Sequence, residues 1–347
     1  MSQRLEGRAG RWVAGAALVL GLLLVVVAPI LRLWVAPLLA QSPQVPGGDG
    51  QTTFTSTGTV TTLFDLDNAE QAVTGESIPV THTVTTRGDA AAAQQAAAEG
   101  LNVAVADSVD RVVTDDGRLI SELPYRLAAD RRSQALADCC GARVGGIEIA
   151  MAGAGNPLRL PWFTPERSYP YFDTALLAPV EMAYIGSERL GDVEAMKFQQ
   201  TTGPTAVGTV PVPGRLVGSE QTTATLVRTH AVNRTLWVDP TTGIILRSAE
   251  KVRETLREDS GPDVVTLLSM SLASTPEQEA AQLAQARAEG QQVLWARTYG
   301  PALSLGIGLA LVVGGLVAIA VRIRAQRAEE DFPDEFASFD DLKEALD

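Results

Sequence analysis

Histidine and cysteine are nearly absent, with two of each in 347 residues. Neither set supports a metal centre, since structural zinc takes four ligands and catalytic zinc three protein ligands. His82 and His230 each stand in a Thr-rich, strand-like stretch with no ligand spacing beside them, and read as structural. The sequence also lacks G-x-S-x-G, H-E-x-x-H and the phosphate-binding P-loop. The expectation is a non-enzymatic protein with neither cofactor nor metal, although Asp107, Asp110 and Asp173 are acids that the fold could bring together. No basic surface stands out against a net charge of −13, which excludes nucleic acid as a partner.

Two segments lack charge altogether. Trp12 to Leu31 and Pro301 to Val321 are each long enough to cross a bilayer core of about 30 Å as a helix. Arg4, Arg8 and Arg11 precede the first, and Arg322, Arg324 and Arg327 follow the second. Basic residues next to a span stay on the cytoplasmic side, so both termini are expected inside and the middle outside. A cleaved signal is the rival for the first run. That run exceeds the usual apolar core of about 7 to 15 residues, and Leu38-Leu39-Ala40 lacks the small residues of a cleavage site, so an uncleaved anchor is preferred.

The expected organisation is a cytoplasmic start at 1–11, a span at 12–31 and a linker at 32–50. A mainly β extracytoplasmic domain at 51–274 follows, then a stalk helix at 275–298, a second span at 301–321 and an acidic cytoplasmic tail at 322–347. The fold class is thus a mainly β (α+β) ectodomain, sandwich- or barrel-like, between two transmembrane helices. Thr- and Val-rich runs at 52–64 and 78–86 have strand character. The Ala/Gln-rich piece from Asp89 to Gly100 is a short helix or a surface insertion.

Asp115-Asp116-Gly117 supplies a hairpin turn between 101–114 and 118–127, and Asp239-Pro240-Thr241-Thr242-Gly243 a second one after 225–238. Asp263 to Leu272 is a further strand. Thr275-Pro276-Glu277 then opens a helix with a capping residue, a Pro in the first turn and acids behind it.

Asp65-Leu66-Asp67-Asn68 alternates oxygen ligands but lacks the rest of a calcium loop, and reads as a solvated turn. Trp162, Phe163, Tyr169, Tyr171 and Phe172 crowd into a stretch broken by Pro161, Pro165 and Pro170. They form a candidate ligand-binding lining for an apolar molecule, the alternative being a core plug. Cys139 and Cys140 are adjacent. Their Cα atoms are about 3.8 Å apart, below the usual disulfide range of about 4.4 to 6.8 Å. They are either free thiols in a tight turn, a strained vicinal disulfide or a redox pair.

Asp130-Arg131-Arg132-Ser133, Asp138-Cys139-Cys140-Gly141, Pro161-Trp162-Phe163, Tyr169-Pro170-Tyr171-Phe172-Asp173 and Val238-Asp239-Pro240-Thr241-Thr242-Gly243 together resemble the actinobacterial PorA porin-like family. The resemblance covers nearly the whole chain. It implies the cell envelope of a high-GC Gram-positive bacterium, and the family's name implies a channel. By topology alone the plan also resembles lipid receptors that carry a span at each end of a large β-rich domain.

The leading expectation is an envelope protein whose outer domain binds or transports an apolar lipid, with membrane lipids as partners. An oligomeric porin-like channel is the alternative, because two helices cannot wall a pore alone. Gly306, Gly308, Gly314 and Gly315 would then permit close helix packing. A second alternative is a scaffold that docks a cytoplasmic partner through the tail, where nine acids from Glu329 to Asp347 face Lys343 alone and Phe332, Phe336 and Phe339 are interspersed.

Overall fold

A computed structural model describes residues 2–43, 50–64, 73–217, 220–259 and 261–330. The chain divides into two compact units, Met1–Leu39 with Gln292–Asp347, and Ala40–Gln291.

In the first unit, α1 (Ser2–Ile30) runs through a π-helical turn, Leu31–Val35, into α2 (Ala36–Leu39). After a second π-helical turn, Trp295–Tyr299, the chain forms α5 (Gly300–Glu330). Both long helices are apolar enough to cross a membrane. They pack antiparallel, since Gly21 meets Gly308, Leu18 meets Gly315 and Leu31 meets Gly300. The start of α1 and the end of α5 therefore lie at the same end of the pair. A Cβ on Gly21 would stand 2.8 Å from the Gly308 carbonyl oxygen, so glycine is what allows the backbones to touch. Leu20, Leu23, Val26, Leu309, Val313 and Val317 stay exposed, as lipid-facing side chains should.

The second unit is built on one antiparallel sheet. In chain order its strands are β1 (Gln51–Leu63), β2 (Val73–Gly88), β3 (Val103–Thr114), β4 (Leu119–Asp130), β5 (Arg143–Val144), β6 (Ile147–Glu148), β7 (Tyr169–Asp173), β8 (Ala178–Leu190), β9 (Val193–Pro213), β10 (Thr223–Val238), β11 (Ile245–Arg257) and β12 (Asp263–Ser274). The spatial order is β6-β5-β4-β3-β2-β1-β12-β11-β10-β9-β8-β7. Two meanders of six strands thus meet along a single seam between β1 and β12. Thr and Val dominate β1 and β2 because branched side chains suit a pleated surface.

Both expected hairpin turns form. Gly117, at φ 87°, closes the β3–β4 turn by donating its N–H to the Thr114 carbonyl at 2.9 Å. In the β10–β11 turn, one carboxylate oxygen of Asp239 accepts from the amides of Thr241 (3.1 Å) and Thr242 (2.7 Å) and from the Thr242 hydroxyl (2.8 Å). The Ala/Gln-rich piece is a helix, α3 (Ala90–Ala98), because the Asp89 side chain caps the Ala92 amide at 3.0 Å.

Helix α4 (Pro276–Leu294) starts where the capping signal places it, with the Thr275 hydroxyl accepting from the Gln278 amide at 3.1 Å. Leu283 and Ala286 pack on Trp237, Ile244 and Leu246 of the sheet, and Glu279 takes two hydrogen bonds from Arg247 at 2.7 and 2.9 Å.

Period-two alternation defines the inner surface. Val60, Val80 and Val112 of the first meander share one core cluster with Val232, Val252, Met270 and Leu272 of the second. Phe172 of β7 is buried with Tyr125 and Leu127 of β4, so the sheet curls until its two ends face each other. It is not the closed barrel that the sequence left open as one form of the ectodomain. Strands β5 and β6 are two residues long and end one edge, and β7 ends the other without a paired ladder between them, among the described residues. A loop occupies that gap instead. Gly155 forms single bridges to Ala135 and to Tyr171, and Leu136 bridges Ala129. Tyr125, Leu127, Leu136, Met151, Ala154 and Phe172 bury one another beneath it.

Candidate functional site

The inner face carries more charge than a core normally holds. On β10 it presents His230, Val232 and Arg234, and opposite them on β11 stand Glu254, Val252 and Glu250. On β2 and β3 the residues in step with the core valines Val80 and Val112 are His82 and Asp110. A belt of valines thus separates two polar layers, one on each side.

Arg234 is the hub of the larger layer. Its Nε donates to Glu250 at 2.6 Å and its Nη1 donates to Gln200 Oε1 at 2.8 Å. The same Nη1 lies 3.5 Å from Asp173 Oδ2, and the guanidinium sits 5.1 Å above the Tyr171 ring. Gln200, fully buried, donates to Asp173 at 2.7 Å, while the amides of Ala175 and Leu176 donate to the other Asp173 oxygen at 2.9 and 3.0 Å. Every oxygen of a 99%-buried carboxylate thereby has a donor, as a buried charge requires.

The electrostatics follow from these contacts. Burial works against ionisation of Asp173, yet Arg234, Gln200 and the Leu176 amide hold its carboxyl below the usual range. Burial likewise disfavours charge on Arg234, and Glu250, Tyr171 and Asp173 overcome that and raise its pKa well above the ordinary value. Burial pushes the Tyr171 hydroxyl up to about 12. His82 donates or accepts at 2.9 Å with Asp110; burial lowers its pKa, but Asp110 and Glu250 raise it more, so the net shift is upward.

In the second layer His230 Nδ1 lies 3.2 Å from Glu254 Oε1, and Arg228 Nη2 lies 2.5 Å from Glu254 Oε2. Burial raises the Glu254 pKa, while His230 and Arg228 lower it more.

Chemically this is a network of paired charges in which Asp173 is fully buried while Arg234, Glu250 and Asp110 keep part of their surface exposed. Of the three acids weighed for catalysis, Asp107 stands apart, while Asp110 and Asp173 both border Tyr171 on the inner face. Asp107 is held by Arg126 at 2.6 Å, Asp110 by His82, and Asp173 by Gln200 and Arg234. Among the described residues no three His, Cys, Asp or Glu side chains gather as metal ligands.

The aromatic stretch is divided among different neighbours. Tyr169 and Tyr171 pack with Leu160, Met182, Phe198 and Leu236, with Tyr169 edge-on to Phe198 at 5.7 Å. Phe172 is fully buried in the cluster under the gap loop. Trp162 is buried with the Arg159 guanidinium 4.7 Å from its ring, and Phe163, half-buried at φ 53°, donates its amide to Thr241 O at 2.9 Å. Arg159 in turn clamps the β10–β11 turn to α4, donating to Thr242 O at 2.7 Å and to Glu289 at 2.8 Å. The five aromatics are thus distributed over separate sets of packing partners.

Cys139 and Cys140 are both free thiols. Asp65 to Asn68 and the tail beyond Glu330 lie outside the described residues.

Sequence reasoning missed Arg234. Its signal was the pair of mirrored strings His-x-Val-x-Arg (230–234) and Glu-x-Val-x-Glu (250–254) around the Asp239–Gly243 turn. Counting back from the turn alone would set Arg234 opposite Ala249; a one-residue bulge between Trp237 and Val238 shifts the register so that Arg234 faces Glu250 and His230 faces Glu254.

Two helices apolar enough to cross a membrane, joined in sequence to a curled antiparallel sheet, define a class: a membrane protein with a large β domain. The chain belongs to the family whose model is described as porin PorA, which matches residues 13–317. A curated relative, "Porin PorA" from Corynebacterium resistens, is 26% identical over 240 residues, amounting to 50% of this chain and 57% of that protein. The chain thus spans little more than half the length of that relative. The resemblance to the actinobacterial PorA family read from the motifs is correct, and the protein is a membrane protein.

Proposed function

We propose that this protein is a non-enzymatic, porin-type channel component of the cell envelope, whose pore is made by several copies together. The observation that carries this reading is the family match, which runs through both apolar helices. The geometry supports the multi-copy form. Within one chain α1 and α5 touch backbone to backbone at Gly21 and Gly308, which leaves no space between them for ions. The inner face of the curled sheet is occupied by the Arg234 cluster and the valine belt, which favours a pore between chains over one through the sheet.

Both termini are placed in the cytoplasm and the β domain outside. This is supported by Arg322, Arg324 and Arg327 after the second span and by the antiparallel packing of the pair. The lipid-carrying reading has less behind it, because the aromatics that would line a lipid site are packed against other side chains. A cytoplasmic partner for the tail remains an independent proposal, tested by a pull-down with and without residues 331–347.

The test is planar-bilayer recording on the purified full-length chain, with its oligomeric state measured in the same detergent. Stepwise conductance from an oligomer is the expected result. A monomer that is silent over a wide range of protein concentration and voltage overturns the proposal.

A further inference from the structure

The chain's only two cysteines are used by nothing described so far, yet they are held in place from three sides. Cys139 to Ala142 form a tight turn in which the Ala142 amide donates to Cys139 O at 3.1 Å. Cys140 and Gly141 both adopt left-handed backbone, at φ 64° and 73°. Gly favours that region; a residue with a Cβ does not.

Arg126 grips the turn, donating from Nε to Cys140 O at 2.8 Å, and also binds Asp89 and Asp107 at 2.6 Å each. Just before the turn, Asp138 accepts from the amides of Met151 (2.6 Å) and Ala152 (2.9 Å). The two thiols both pack half-buried on the alanine face of α3, against the Ala93 and Ala96 cluster.

We propose that Cys139 and Cys140 are a two-thiol site that interconverts with a vicinal disulfide and, when reduced, chelates a trivalent, thiophilic arsenical. The redox partner is a low-molecular-weight disulfide. One cysteine sulfur attacks it, an S–S bond breaks, and the first leaving group departs as a thiol with the cysteine's proton. The neighbouring cysteine then attacks the protein sulfur of the mixed disulfide and releases the second thiol. Two electrons and two protons pass from the protein to the disulfide, and an eight-membered ring closes. An arsenoxide needs no oxidant: two S–As bonds replace the As=O bond, and the oxygen leaves as water with both thiol protons.

Burial, the neighbouring Cys140 thiol and the nearby charges of Glu99 and Asp138 push the Cys139 thiol up to about 12. The attacking form is the thiolate, so both reactions speed up as the pH is raised. Adjacent Cα atoms, about 3.8 Å apart, strain the ring, and strained disulfides are the readily reduced ones. Ring closure also shifts the Cys140 carbonyl that Arg126 holds, and through Arg126 the cap of α3.

The experiment treats the native full-length protein in detergent with dipyridyl disulfide and weighs the product by mass spectrometry. The expected product is a monomeric chain lighter by two hydrogens, with two pyridinethiones released, and phenylarsine oxide added first blocks the reaction. Cys139→Ser and Cys140→Ser, which change one atom each, should instead stop at a single pyridyl adduct. Two stable adducts on one native chain overturn the site, because they show thiols acting separately. So does a native chain that is inert while the urea-unfolded chain reacts, or a phenylarsine oxide that gives no protection.

Discussion

Arg234 and Glu250 face each other across the β10–β11 hairpin at 2.6 Å, and that pair ties the buried carboxylate of Asp173 to the sheet. Replacing Arg234 with Met would take from Glu250 its hydrogen-bonded cation and from Asp173 the guanidinium 3.5 Å away. Removing one partner of a buried pair costs about 3 to 5 kcal/mol, while replacing both with apolar groups costs much less. The expected outcome is a large fall in unfolding midpoint for Arg234→Met in detergent. A second change, Glu250→Leu, should restore part of that loss. Urea unfolding of the two variants beside the native chain checks both statements.

The histidine–carboxylate pairs give the domain a pH dependence with a defined sign. The folded pKa of His82 lies above its ordinary value of 6.5, with Asp110 and Glu250 favouring the charge and Arg234 opposing it. Its contribution is therefore fully present below about 6.5 and is lost as the pH rises through the folded value. Asp173 and Glu254 have lowered pKa values, so their contributions are present above the ordinary carboxylate range and are lost as the pH falls through the folded values. Stability should thus decline on both sides of a mildly acidic optimum. His82→Asn should flatten the alkaline side alone. With only two histidines in the chain, an imidazole NMR titration assigns the His82 value directly.

Much of this architecture is legible in the sequence because it depends on neighbours in the chain. The uncharged runs mark the two membrane-crossing helices, Asp115–Gly117 and Asp239–Gly243 mark hairpins, and Thr275-Pro276 marks the start of α4. The curl of the sheet and the Arg234 hub are not legible in that way. The hub depends on bulges that shift the β9–β10 and β10–β11 ladders, and the curl sets Phe172 of β7 against Tyr125 of β4, far away in the chain. The aromatic stretch looked like one lining because Trp162 to Phe172 are close in sequence. Alternation along β7 then sends Tyr169 and Tyr171 to one cluster and Phe172 to another.

The seam between the two meanders has one weak point. A Cβ on Gly58 would lie 1.8 Å from the carbonyl oxygen of Ser271 on the neighbouring strand β12. That atom is backbone, so it cannot rotate away. Gly58→Ala must either part the β1–β12 ladder or fail to fold, a penalty of roughly 3 kcal/mol or more. Limited proteolysis should show cleavage within 51–63 of the variant under conditions that leave the native chain intact.

The glycines of α5 separate two roles that a simple loss-of-function screen would merge. A Cβ at Gly308 meets the Gly21 carbonyl oxygen at 2.9 Å, and one at Gly315 meets Leu18 Cγ at 2.8 Å, whereas Gly306 and Gly314 have nothing within 4 Å. At about 100° per residue the second pair sits on faces of the helix that α1 does not cover. Gly308→Leu should therefore break the α1–α5 pair inside each chain, lowering the yield of folded protein. Gly314→Leu should leave that pair intact, as read by a disulfide engineered between α1 and α5. If copies assemble through the uncovered face, Gly314→Leu weakens the oligomer and lowers conductance while each chain stays folded. Unchanged conductance from Gly314→Leu and Gly306→Leu would remove α5's free face from the assembly and move the contact to the outer face of α1 or to the β domain.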